Sequence, residues 1–209
     1  AAPWPNLSPG SSPIALRFCP GFSGDFSTRS ERARHNKIIF SGTVGAGKST
    51  ASNALSDIPP VSTEALASDD TAKLKKTTTV AMDYGVLNLP DGEKVMLYGT
   101  PGQERFSFMW DILSEGGIGL VLLINNANTD PLSDLKGYLD AFKDFIAGTA
   151  VTVGVTHMDR AEMPGLDAYR ATLAELGHQP VPAVFRVDAR SRDDVAMLVK
   201  ALLYTLNPG

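Results

Sequence analysis

Eight consecutive residues, Gly42-Thr43-Val44-Gly45-Ala46-Gly47-Lys48-Ser49, carry the spacing GxxxxGK[ST]. They follow the apolar run Ile38-Ile39-Phe40, which reads as a short buried strand. They open the stretch Ser49 to Leu55, which reads as a helix. The chemistry of this spacing is phosphate binding. Glycines let successive backbone N–H groups curl round phosphate oxygens, and the helix N-terminus adds partial positive charge. Lys48 reaches the β and γ phosphates as a point charge, and the Ser49 hydroxyl is a ligand for Mg²⁺. Gly42, Val44, Gly45, Ala46, Gly47, Lys48, Ser49 and Thr50 are therefore expected to hold a nucleoside triphosphate.

A phosphate loop alone does not choose between ATPase, kinase and GTPase, and four further segments bear on that choice. Gly99-Thr100-Pro101-Gly102-Gln103-Glu104-Arg105-Phe106 follows the strand-like Lys94 to Tyr98. Thr77-Thr78-Thr79-Val80-Ala81-Met82-Asp83-Tyr84 lies further upstream. Thr156-His157-Met158-Asp159 follows the strand-like Val151 to Val155, and Val187-Asp188-Ala189-Arg190 follows Val184 to Val187.

Taken in order from about Lys37 to Leu206, these five segments resemble the motifs of the Ras superfamily of small GTPases. Thr-Pro-Gly-Gln and the extra threonine upstream look like its bacterial branch, which includes the gliding-motility polarity GTPase. The resemblance implies roles residue by residue. Gly102 N–H would sense the γ-phosphate and Gln103 would orient the attacking water. Thr79 would bind Mg²⁺ and the γ-phosphate, with Thr78 the alternative one register away. Lys48, Thr79 and Gln103 would be the catalytic residues, with Ser49 and Thr79 on the metal.

Asp159 would accept bonds from the guanine N1–H and amine, a paired donor that adenine lacks. Thr156 stands where Asn is usual. His157 either stacks on the base or is an ordinary surface histidine. Asp188, Ala189 and Arg190 would complete the base end, with the Ala189 N–H meeting the guanine O6. The cofactors implied are Mg²⁺ and GTP or GDP. The implied partners are a Roadblock/LC7-type regulator and a switch-dependent effector.

Two departures qualify this. Gly99 stands where most of the superfamily has an Asp that holds a Mg²⁺-bound water, and Val44 stands where Gly is common. Both favour a second reading, a GTP- or GDP-binding scaffold subunit with little hydrolysis. A third reading, a kinase or ATPase of another P-loop class, requires an acidic residue at the end of an apolar strand, and Tyr98-Gly99 offers none.

The elements that must position these residues follow from hydrophobic pattern. Val80 to Leu89 and Lys94 to Tyr98, joined by Pro90-Asp91-Gly92-Glu93, read as an antiparallel hairpin. Thereafter helices (about Glu104–Leu113, Leu132–Ile146, Leu166–Leu176, Asp193–Leu206) alternate with strands (Ile118–Ile124, Val151–Val155, Val184–Val187). Residues 56–78 read as a long irregular connection. The alternation implies an α/β fold: a mostly parallel six-stranded sheet with one antiparallel strand and helices on both faces. Ligands of such sheets bind at the carboxyl ends of the strands, where every segment above falls. Of Phe106, Phe108, Met109 and Trp110, some are expected in the core and some exposed.

The 209 residues are 43% hydrophobic and 20% charged, with net charge −4, which provides no global basic field for nucleic acid. No apolar run reaches the roughly 20 residues of a membrane helix. The single cysteine, Cys19, fits a reducing compartment, and a cytoplasmic location is expected. Residues 1–36, rich in Pro, Ser and Gly, read as a flexible extension, and 37–209 as the nucleotide-binding domain.

Overall fold

The computed structural model describes residues 36–59, 61–62, 83–89, 92–101, 110, 112, 114–177 and 181–206. The strands are β1 (Asn36–Gly42), β2 (Val61–Ser62), β3 (Asp83–Asn88), β4 (Lys94–Gly99), β5 (Gly117–Asn125), β6 (Ala150–Thr156) and β7 (Ala183–Arg186). The helices whose bounds lie among the described residues are α1 (Lys48–Leu55), α2 (Pro131–Ala141), α3 (Lys143–Ala147), α4 (Leu166–Glu175) and α5 (Arg192–Leu206).

All the strands form one sheet in the order β2-β3-β4-β1-β5-β6-β7. β1 pairs in parallel with both β4 and β5, so the strand order reverses beside it and its carboxyl end is the topological switch point. β3 runs antiparallel to both β4 and β2, making it the one antiparallel strand that was expected. β2 is an addition at the edge. Its two residues lie inside the stretch read as irregular, too short to carry an alternating pattern.

Alternation along β1 divides the core between the two faces of the sheet. Ile38 and Phe40 pack with Leu97, Val121 and Leu123 beneath α1 and α5, against Leu55, Leu198 and Leu202. Ile39 points the other way and packs with Leu120, Leu122, Ile124, Val153 and Val155 beneath α2 and α4, against Leu135, Leu139 and Leu173. Each such buried aliphatic side chain contributes about 1.5–3 kcal/mol. Together they hold the β1 and β5 carboxyl ends in register.

The helix read as Leu132–Ile146 is two helices. Phe142 leaves helical geometry (φ −100°, ψ 11°) and its buried ring stacks on Trp110, 5.2 Å away at 13°. Trp110 is buried and also stacks on Tyr138. Of the four apolar residues weighed at 106–110, Trp110 therefore belongs to the core; Phe106, Phe108 and Met109 lie outside the described residues. So do the extension up to residue 35, with Cys19, and the residues Thr78, Thr79, Gly102 and Gln103.

Candidate functional site

The loop between β1 and α1 is shaped by its glycines. Gly42, Gly45 and Gly47 all have positive φ. At Gly42 (φ +136°) a Cβ would lie 1.8 Å from the Leu123 carbonyl oxygen, so β5 leaves room for glycine only. At Gly47 (φ +87°) a Cβ would meet the Ala189 Cβ at 2.8 Å, which shows how closely the loop packs on the β7–α5 connection. α1 has no acidic residue in its first turn and no side chain capping its N-terminus. Its free N–H groups and partial positive charge therefore remain for an anion.

Lys48 is buried, and its ammonium donates to the carbonyls of Gly42 (2.8 Å) and Thr43 (2.7 Å). Burial lowers its pKa to about 8, while the negative charge of Asp83 acts in the opposite direction. Asp83 is a residue the sequence reading quoted without giving it a role. It opens β3 directly across from Gly99 of β4. A Cβ on Gly99 would fall 3.0 Å from the Asp83 Cβ and 3.1 Å from its Oδ2. The space that a side chain at position 99 would fill is therefore occupied by the Asp83 carboxylate. A carboxylate thus lies beside the end of β4 although β4 itself ends in Gly99, and only the pairing register reveals it.

A cleft of about 690 Å³, within the range of small-ligand sites, joins this loop to the carboxyl ends of β6 and β7. Gly45, Gly47, Lys48, Ser49 and Thr50 line one end; Thr156, His157, Asp159, Asp188, Ala189 and Arg190 line the other. Gly42 and Ala46 lie beneath the loop, both fully buried or nearly so, and Val44 projects outward at 61% exposure.

The two ends are bonded together. The buried Thr156 hydroxyl lies 3.1 Å from the Ala46 carbonyl and 3.2 Å from that of Ile124. His157 takes a left-handed conformation (φ +58°), and its Nδ1 lies 3.1 Å from the Thr156 Oγ1. Asp159 is exposed on the turn that follows. Asp188 and Arg190 form a bidentate exposed pair, with Nε to Oδ1 at 2.9 Å and an η nitrogen to Oδ2 at 2.8 Å. That guanidinium lowers the Asp188 pKa to about 2.

Among the described residues no three His, Cys, Asp or Glu side chains gather to hold a metal ion. Nor is any described helix long and apolar enough to cross a membrane.

Residues 40–171, more than half of the chain, match the family described as conserved hypothetical ATP binding protein. The chain belongs to that family. A stretch of 49 residues is also 45% identical to the uncharacterized protein MJ1339 of Methanocaldococcus jannaschii, covering 23% of this chain and 31% of that protein. The chain thus spans about a third of the length of this curated relative.

The family match corrects the resemblance to the bacterial Ras-like small GTPases. That resemblance rested on short segments. Its phosphate loop is common to P-loop proteins at large, and Thr79, Gly102 and Gln103, which distinguish it, lie outside the described residues. The family match instead extends continuously through β4, β5 and β6. The Roadblock/LC7-type regulator and the switch-dependent effector entered with the resemblance and lose their support with it. Nucleotide binding stands, as the property by which the family is described.

Proposed function

We propose that this member of the family binds guanine nucleotides in the cleft and hydrolyses GTP with Mg²⁺. The observation that carries the reading is Asp159. It shares one cleft with Lys48 and Ser49, at the end away from the phosphate loop. A carboxylate there accepts from both the N1–H and the amine of guanine; adenine presents an acceptor at N1 and would leave the charge unpaired.

Lys48 and the α1 N-terminus bind the phosphates, while Thr156 holds the base loop against the phosphate loop. Mg²⁺, when bound, would supply positive charge that offsets the negative charge of the phosphates. Ser49, Asp83 and, from the segment before β3, Thr79 are the side chains that would hold it. Gln103 is the residue that would orient the attacking water.

Competition against a fluorescent GDP analogue tests the reading, since the family description names ATP. GTP and GDP are expected to displace the analogue about 100-fold better than ATP and ADP. Asp159→Asn is expected to abolish that preference and to favour xanthine nucleotides, whose C2 carbonyl accepts from the new amide. Equal displacement by ATP and GTP in the unaltered protein would overturn the guanine assignment. Phosphate release from GTP with and without Mg²⁺ tests the hydrolytic step.

A further inference from the structure

Asn126 lines no part of the cleft. It directly follows β5 with 1% of its surface exposed, and both polar atoms of its side chain are hydrogen-bonded. Its backbone N–H donates to the Thr156 carbonyl at 2.9 Å. Its Nδ2 donates to the carbonyls of Ala161 (2.7 Å) and Pro164 (3.2 Å). Its Oδ1 accepts from the hydroxyl of the fully buried Tyr169, on α4, at 2.6 Å.

The residues it holds bracket the turn that carries His157 and Asp159. Within that turn the N–H groups of Arg160 and Ala161 both donate to the His157 carbonyl. Hydrogen bonds thus run from Asn126 through Ala161 and His157 to the Thr156 hydroxyl, and on to Ala46 of the phosphate loop.

We propose that Asn126, held by Tyr169, is a positioning residue for base recognition: it staples both ends of the 156–164 turn so that Asp159 meets the base in a fixed place. This deepens the guanine reading and rests on it. Two donations and one acceptance from a single side chain require a primary amide. Aspartate has no donor to offer the two carbonyls, and leucine has neither donor nor acceptor. Loss of the staple frees the turn while leaving the phosphate loop, which is shaped by its own glycines, in place.

The test is the split between two ligands of the full chain: GDP, which uses both ends of the cleft, and inorganic pyrophosphate, which uses only the phosphate end. Asn126→Asp is expected to weaken GDP about 30-fold and pyrophosphate less than about twofold. Tyr169→Phe leaves both Nδ2 donations intact and is expected to weaken GDP about threefold. It also serves if the Asp variant fails to fold. Amide exchange across 157–164 is expected to accelerate in each variant.

Equal weakening of GDP and pyrophosphate, or no weakening of either, would overturn the proposal. If the unaltered protein binds GDP and ADP alike, the guanine reading fails instead. The staple is then judged on amide exchange alone, supported by acceleration at 157–164 and overturned by none.

Discussion

At the phosphate end of the cleft the groups that would face a ligand are largely main-chain N–H groups. At the base end they are side chains. The first end lies between two core strands, and its conformation is enforced by contacts a Cβ could not survive, as at Gly42 against β5. The second end is a pair of turns after β6 and β7, with Asp159 and Arg190 in solvent and its order resting on hydrogen bonds from Thr156 and Asn126. Main chain locked by packing loses little freedom on meeting a ligand; exposed side chains lose more. On the proposed reading, one end would therefore supply affinity toward any triphosphate, and the other a discrimination that a few bonds can make or undo.

The most damaging substitution under this comparison is Gly42→Ala. The new Cβ would force β1 away from the Leu123 carbonyl, and the backbone would hold φ +136° against an alanine. The expected cost is at least about 4 kcal/mol, a fall of about 10 °C in the thermal midpoint followed by circular dichroism. A midpoint unchanged within about 2 °C would mean that the phosphate loop yields easily. The contrast between a rigid and an adaptable end would then be lost.

A smaller effect sharpens the contrast from within the phosphate end. On the proposed reading Lys48 would bind phosphate only when protonated, and burial lowers its pKa to about 8. Nucleotide affinity should therefore fall as pH rises through about 8, by about tenfold per unit until the pKa of the bound state is reached. Asp83 acts to raise that pKa, so Asp83→Asn should lower it and move the falling limb to lower pH. The same variant should blunt the gain in affinity on adding Mg²⁺. Titration calorimetry at pH 7, 8 and 9 measures both. A limb that stays at the same pH would show that the charge on Asp83 is not felt at Lys48.

Asp83 also marks the limit of what the sequence discloses. The phosphate loop was legible because its chemistry demands glycines, a lysine and a hydroxyl within eight consecutive residues. Among the described residues the strand and helix order was legible because both faces of the sheet are buried and the runs are apolar, as in Leu120 to Ile124; the helix expected at about Glu104–Leu113 lies mostly outside them. The carboxylate beside Gly99 was not, since it depends on the register between two strands rather than on spacing along one. The break at Phe142 was hidden because Leu132 to Ile146 keeps a helical apolar period through it; the stacking of its ring on Trp110 is a tertiary contact that no period along the chain discloses. Asn126 and Tyr169 are 43 residues apart and belong to no contiguous motif.

The smallest expected effect belongs to Arg190→Ala. The Asp188–Arg190 fork looks strong in its geometry, yet both side chains are exposed and water screens the pair. Asp188 keeps two other bonds when the guanidinium goes. Its own N–H still donates to the Asp194 carboxylate, and its Oδ1 still accepts from the residue 190 N–H. The thermal midpoint should therefore stay within about 1 °C, and GDP affinity should weaken by no more than about threefold. The Asp188 carboxyl, released from its largest stabilising partner, should titrate above its present value of about 2. A carbon-detected NMR titration follows that shift, and competition with GDP follows the affinity. A loss as large as that expected for Asn126→Asp would mean that the exposed fork orders the base end. The placement of Asp159 would then rest on the solvent-facing fork rather than on the buried amide beneath the turn.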